Sequence, residues 1–169
     1  MLKVLALDID GVLTDGRVTL DGNGRELKTL SYRDIDALFL AQRRGVRVVL
    51  VTGESSDWVA MVARRLEINH VYEGAKDKRM ALKELCADLG VDLKQVCYVG
   101  DSLRDVDALT AAGLALVPAD ASSAAHKAAH RVLKHAGGNG AVAEAVEIVL
   151  ETIGAGGEPN AATQEPCSL

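Results

Sequence analysis

The sequence predicts an α/β fold, an open parallel sheet with helices on both faces. Two observations carry this. Short apolar runs rich in valine and leucine alternate with amphipathic segments of helix length, the pattern left when crossover helices bury both faces of a parallel sheet. Gly45, Gly90 and Gly113 stand directly after helical segments, where glycine ends a helix and releases the chain into the next strand. Two stretches break the rhythm, one after the first strand and one at the C-terminal end.

In order, residues 4–7 read as the first strand. Residues 17–30 alternate apolar and polar side chains about Asp21-Gly22-Asn23-Gly24, the mark of a β-hairpin. Residues 35–44 place Leu38, Phe39 and Ala41 at helical spacing, and 46–51 follow as a valine-rich strand. A helix over 59–66 sets Val59, Val62, Ala63 and Leu66 on one stripe, ahead of a short strand at 71–72. A helix at 80–89, a strand at 96–99, a helix at 106–112 and a strand at 114–117 continue the alternation. Residues 131–133 are expected as an edge strand and 141–153 as the closing helix, with Val142, Ala145, Val146 and Val149 inward. The sheet is Rossmann-like, with a hairpin insertion after strand one and no stretch long enough for a cap domain. One domain is expected over 1–153, and the aperiodic residues 154–169 are expected to form a flexible tail.

At 169 residues, 49% hydrophobic and 25% charged, the chain has room for a single domain with a real core. Aromatic residues make up only 3%, and 19 basic against 24 acidic side chains leave a net charge of −5. Without a basic field or exposed stacking rings, nucleic acid and anionic membranes are excluded as expected partners. Cys86, Cys97 and Cys167 form no CxxC pair, no apolar run is long enough to span a bilayer, and no signal-peptide cleavage site follows Met1-Leu2-Lys3. A reduced, cytoplasmic protein is expected.

Ligands of open α/β sheets gather outside the carboxyl ends of the strands. Asp8-Ile9-Asp10-Gly11 follows the first strand and Thr52-Gly53-Glu54 the second; Lys78 lies near the third; Gly100-Asp101 follows the fourth, with Asp105 four residues on. Singly, each has an ordinary explanation: turn-forming aspartates, helix N-caps at Thr52 and Asp101, a solvated lysine. Together their chemistry is coherent. Two carboxylates two residues apart on an extended segment point differently, so one can attack while the other moves protons. Clustered carboxylates suit a hard cation such as Mg²⁺. A threonine hydroxyl, neighbouring backbone N–H groups and an ammonium suit a phosphate. The set fits phosphoryl transfer through an aspartyl phosphate. No GxxxxGK[ST] nucleotide loop occurs, and His70, His126, His130 and His135 lie away from these strand ends, where surface positions are expected.

The run Asp8-Ile9-Asp10-Gly11-Val12-Leu13-Thr14-Asp15-Gly16 resembles the first motif of the haloacid dehalogenase (HAD) superfamily of phosphatases. Thr52, Lys78 and Gly100-Asp101-Ser102-Leu103-Arg104-Asp105 resemble its second, third and fourth motifs, in order. The hairpin in place of a cap and the Gly137-Gly138-Asn139-Gly140-Ala141-Val142 turn are similar to the 3-deoxy-D-manno-octulosonate 8-phosphate (KDO 8-phosphate) phosphatase family, over residues 1–153. The resemblance implies a HAD-like fold with Asp8 as nucleophile and Asp10 as general acid/base. It implies Mg²⁺ held by the Asp8 carboxylate, the Asp10 backbone carbonyl and the Asp101 carboxylate. Thr52, Gly53 and Lys78 would grip the phosphoryl group, and Asp105 would orient metal-bound waters or Lys78 from outside the ligand set. It also implies a homotetramer in which each hairpin lids a neighbour's site, covering Val18, Leu20, Leu27 and Leu30, which a lone hairpin would leave bare.

The substrate end departs from that family. Its octulosonate branch has an arginine after Thr-Gly and another about two turns later, both binding the sugar acid; here those positions hold Glu54 and Val62. A related branch, acting on 2-keto-3-deoxynononate 9-phosphate, has glutamate after Thr-Gly and a basic residue later, which Arg65 resembles. Ser31-Tyr32-Arg33-Asp34 is similar to the Arg-Asp segment of the octulosonate enzymes, so Arg33 and Asp34 join Glu54 and Arg65 as specificity candidates. The expected activity is a Mg²⁺-dependent phosphatase of a 2-keto-3-deoxy sugar acid phosphate. Two alternatives stand beside it. A receiver domain would need an aspartate where Thr52 stands. A non-catalytic HAD-like oligomerisation module of a sialic-acid or KDO pathway has no need of Asp8, Asp10, Lys78 and Asp101 together.

Overall fold

The computed structural model describes residues 1–155. Six parallel strands form one sheet, and a two-stranded hairpin stands apart from it. The strands are β1 (Val4–Leu7), β4 (Arg47–Val51), β5 (His70–Tyr72), β6 (Val96–Val99), β7 (Leu114–Val117) and β8 (Arg131–Val132). From β1 the chain moves outward through β4 and β5, then crosses back to add β6, β7 and β8 on the other side. The order reverses at β1, and a cleft opens at such a reversal point.

Alternation along β1 divides the core. Leu5 and Leu7 face one layer, with α1 (Tyr32–Arg43), α2 (Asp57–Arg65) and α6 (Ala141–Ala155); Val4 and Ala6 face the other, with α3 (Lys78–Leu89), α4 (Val106–Ala111) and α5 (Ser123–Ala128). All four β1 side chains are fully buried, as a central parallel strand requires.

Several boundaries move for local reasons. Helix α3 starts at Lys78 rather than 80, because the Asp77 side chain caps it by accepting from the Met80 N–H at 3.0 Å. Helix α1 starts at Tyr32 rather than 35, one residue after an extended Ser31. Helix α5 was not expected: its alanines make no apolar stripe, and the Ser122 hydroxyl, accepting from the Ala125 N–H, marks its start. Helix α6 continues to Ala155, so the expected tail loses its first two residues to the helix and otherwise lies outside the described residues. Cys86 and Cys97 are unpaired thiols; Cys167 also lies outside the described residues. No helix among the described residues is long and apolar enough to cross a membrane.

The hairpin is present, with β2 (Thr19–Leu20) antiparallel to β3 (Glu26–Leu27). Asp21 closes its turn, accepting from the N–H groups of Asn23 and Arg25 at 2.8 and 2.9 Å and pairing with the Arg25 guanidinium at 2.7 Å. Val18, Leu20 and Leu27 are 47, 63 and 56% exposed, while Leu30, expected with them, packs on the α1–α2–α6 layer of the core.

Candidate active site

Asp8 leaves β1 at its carboxyl end, Thr52 leaves β4 and Asp101 lies just past β6, so three adjacent strands deliver their following residues to one cleft of about 690 Å³. Lys78, in the first turn of α3, reaches the same cleft. The chain after Asp8 makes a wide turn over Ile9–Leu13, closed by the Thr14 N–H donating to the Ile9 carbonyl, with Gly11 at φ +85°. A side chain there would be strained in the left-handed region and its Cβ would strike the Asp101 carboxylate, so only glycine lets the two segments meet.

The buried charges form an ordered row. The Lys78 ammonium lies 2.7 Å from Asp8 Oδ2 and 2.7 Å from Asp105 Oδ1. Asp105 also accepts from the Tyr98 hydroxyl at 2.6 Å and from the N–H groups of Asp101 and Ser102 at 3.1 and 3.0 Å. Burial alone would raise Asp105, but Lys78, Tyr98 and Ser102 outweigh it and hold its carboxyl below the usual range. Burial would likewise lower Lys78, yet the two aspartates keep its ammonium above lysine's ordinary value. Burial pushes Asp8 up to about 7, with Lys78 opposing and Asp105 adding to the rise. Burial, joined by Asp105, pushes Asp101 up to about 6. Asp105 is therefore fixed as an anion that orients Lys78, while Asp8 and Asp101 are held at a cost that a cation relieves.

Thr52 is buried, and its hydroxyl accepts from the Glu54 N–H at 3.1 Å, closing the turn after β4. It is not a helix cap: α2 begins further on, after Ser56. Glu54 lines the cleft, but its oxygens are engaged, one by the Lys28 ammonium at 2.5 Å and one by the Ser56 hydroxyl at 2.6 Å. Lys28 also sits 3.0 Å from Asp10 Oδ1.

The remaining specificity candidates do not reach the cleft. Asp34 is buried beneath α6, accepting from the N–H groups of Gly140 and Ala143 at 3.2 and 2.8 Å, so its carboxylate caps that helix. Arg33 is exposed on α1. Arg65 leans on the Tyr32 hydroxyl at 3.4 Å and lines a separate hollow beside Trp58. Lys28 and Tyr98 were missed by sequence reasoning. Tyr98 reads as an ordinary apolar strand residue, and Lys28 as one polar position of an alternating hairpin.

The acidic cluster fits Mg²⁺. Carboxylate oxygens of Asp8, Asp101 and Asp105 all lie within 4.8 Å of one another. Asp105 is already occupied by the donors just described. Asp101 has no cationic side-chain partner among the described residues, unlike Asp8, Asp10 and Asp105. A half-buried carboxylate without a counter-ion, beside a buried one, is the donor set a hard divalent cation takes.

Residues 23–113 match the haloacid dehalogenase-like hydrolase family. The KDO 8-phosphate phosphatase KdsC of Escherichia coli K12 is 35% identical over 149 residues, spanning 88% of this chain and 79% of that one. The chain belongs to the haloacid dehalogenase-like hydrolases. This member is a phosphoric monoester hydrolase of that family, with no cap domain among the described residues. The KDO 8-phosphate phosphatase of Moraxella catarrhalis, solved with magnesium, phosphate and KDO, superposes with a TM-score of 0.85 at 33% identity, covering 89% of this chain and 86% of that one. The cobalt-bound phosphatase of Haemophilus influenzae gives 0.86 at 31% identity, covering 90% of each.

Proposed function

We propose that the protein hydrolyses the phosphate monoester of a 2-keto-3-deoxy sugar acid, of the KDO 8-phosphate class, through a phosphoryl-aspartate on Asp8. The observation that carries this reading is the buried Asp8–Lys78–Asp105 row at the mouth of β1, in one cleft with Thr52 and Asp101. The names of the similar phosphatases supply the substrate class.

In this mechanism an Asp8 oxygen attacks phosphorus as the bond to the leaving oxygen breaks, and Asp10 gives that oxygen its proton. Water then attacks the phosphoryl-aspartate, Asp10 takes the water's proton, and inorganic phosphate leaves a regenerated Asp8. Lys78, pinned by Asp105 and Tyr98, meets the negative charge on the transferring group together with the Thr52 hydroxyl and the backbone N–H of Gly53. Mg²⁺, held by Asp8, Asp101 and the Asp10 carbonyl, would neutralise phosphoryl charge and favour the ionised form of Asp8.

The bare hairpin residues Val18, Leu20 and Leu27 support a homotetramer in which hairpins cover one another and roof neighbouring clefts. Unpaired Cys86 and buried Cys97 suit a cytoplasmic enzyme. A nine-carbon substrate is the second reading, favoured by Glu54 after Thr52-Gly53.

Phosphate release with Mg²⁺ from eight- and nine-carbon keto-acid phosphates, beside hexose phosphates, tests this. Preference for the keto acids is expected, with no turnover by Asp8→Asn and a loss of roughly 10²–10⁴ for Asp10→Asn. Wild-type protein that releases no phosphate, or an active Asp8→Asn variant, overturns the reading.

A further inference from the structure

Lys28 is the unusual residue of the hairpin. Leu27 before it is more than half exposed, and Thr29 after it is exposed, yet the Lys28 side chain is only 6% exposed. Its ammonium turns inward and lies between two carboxylates, 3.0 Å from Asp10 Oδ1 and 2.5 Å from Glu54 Oε2. Its head also lies 4.8 Å from the centre of the Trp58 ring, which gives the cation a third wall. Glu54 is itself tethered, because its other oxygen accepts from Ser56.

Asp10 is held differently from Asp8. Its side chain is 42% exposed, and Lys28 is its one ion-pair partner among the described residues. A half-exposed carboxylate in an open cleft has several rotamers available, and a proton donor must point at one oxygen in one direction. The side chain that limits this freedom comes from the hairpin.

We propose that Lys28 is a positioning residue for phosphoryl transfer: anchored by Glu54 and Trp58, it fixes the Asp10 carboxylate in the orientation from which Asp10 exchanges a proton with the leaving oxygen. The inference rests on the acid/base role given to Asp10 above and extends the chemistry to the hairpin. Lys28 does not itself line the cleft. Its effect passes through Asp10.

Leaving groups separate this role from mere structural support. The kcat/KM value reports the first irreversible step, departure of the leaving group as the phosphoryl-aspartate forms. A sugar alkoxide needs a proton at that step, whereas p-nitrophenolate departs without one. Lys28→Met should therefore lower kcat/KM on the sugar-acid phosphate by about 10- to 100-fold more than on p-nitrophenyl phosphate, the direction in which Asp10→Asn moves. Lys28→Arg should restore most of the ratio, and Glu54→Gln should shift it the same way by less. The double variant Lys28→Met/Asp10→Asn should be no slower than Asp10→Asn, since both act on one group.

Equal losses on the two substrates, or losses that multiply in the double variant, would overturn the proposal. If Lys28→Met does not fold, Glu54→Gln carries the same comparison, and an unchanged ratio there is equally decisive. A wild-type enzyme inactive on both substrates would overturn the phosphatase reading, and this inference with it. An active wild type with an unmoved ratio overturns the inference alone.

Discussion

The Asp34 carboxylate, in the first turn of α1, accepts a 2.8 Å hydrogen bond from the backbone N–H of Ala143, 109 positions later at the amino end of α6. Its other oxygen takes the Gly140 N–H at 3.2 Å. Burial pushes this carboxyl up, and the two N–H donors recover part of the cost.

Asp34→Ala should therefore destabilise the fold by about 1–3 kcal/mol, because it orphans buried donors at a helix start. Asp34→Asn, which keeps one acceptor, should lose about half as much. Thermal unfolding measures both. The kcat/KM per folded molecule should stay at the wild-type value, and a selective rise in KM would return Asp34 to the substrate.

Removing Lys78 strips the counter-charge from two buried carboxylates at once. Lys78→Met should abolish useful turnover and cost about 3–5 kcal/mol near neutral pH. The sign of its pH dependence follows from Asp8, whose folded pKa is already raised to about 7. Stability tied to a raised carboxyl is present at low pH and is lost as pH rises through the folded value. Without Lys78 that value climbs further, so the penalty should be full at pH 8 and smaller at pH 5. Unfolding curves at the two pH values check it; a deficit that grows toward pH 5 contradicts the ion-pair account.

Mg²⁺ should raise the melting temperature, with a stabilisation of about 2.7 kcal/mol at one hundred times its dissociation constant. Asp101→Asn should remove that response. Protons compete for Asp8 and Asp101, whose carboxyls sit at about 7 and about 6, so the apparent affinity should weaken as pH falls from 8 to 5.5. Calorimetric titration at the two pH values measures this directly.

Leu20→Glu and Leu27→Glu place charges on the bare hairpin. If hairpins cover one another, sedimentation velocity should show a four-chain species for the wild type and smaller species for the variants, with activity falling as subunits separate. A wild type that sediments as a fully active monomer contradicts the tetramer.

The strand ends were legible for a physical reason. A buried parallel strand leaves a short valine-rich run, and the residue following it has one place to go, so the sequence alone brings Asp8, Thr52 and Asp101 together. Lys78 was placed near a strand and proved to open α3, because Asp77 caps that helix two residues earlier than the apolar stripe begins. The contacts of Lys28 and Asp34 are not legible in the sequence for another reason. Each makes its decisive contact across 18 or more positions of chain, and alternation or local motif says nothing about such a partner. Helix α5 escaped because alanine carries too little apolar surface to set a stripe.

The turn that begins at Gly137 has a consequence for how the enzyme is made. The Gly138 N–H donates to the Val12 carbonyl at 2.9 Å, and a Cβ at Gly137 would strike the Gly11 carbonyl, so the turn is moulded onto the loop that carries Asp8 and Asp10. That loop leaves the ribosome before its backing does, because Gly137 follows Asp8 by 129 positions of chain. Strand β1 waits on one side for β4 and on the other for β6. At about 5–20 residues per second, roughly 6–26 seconds separate the synthesis of Asp8 from that of Gly137. A chain stopped just before residue 137 would hold all six strands of the sheet and an unbacked Asp8–Asp10 loop, so a truncation there should cost activity before it costs the sheet.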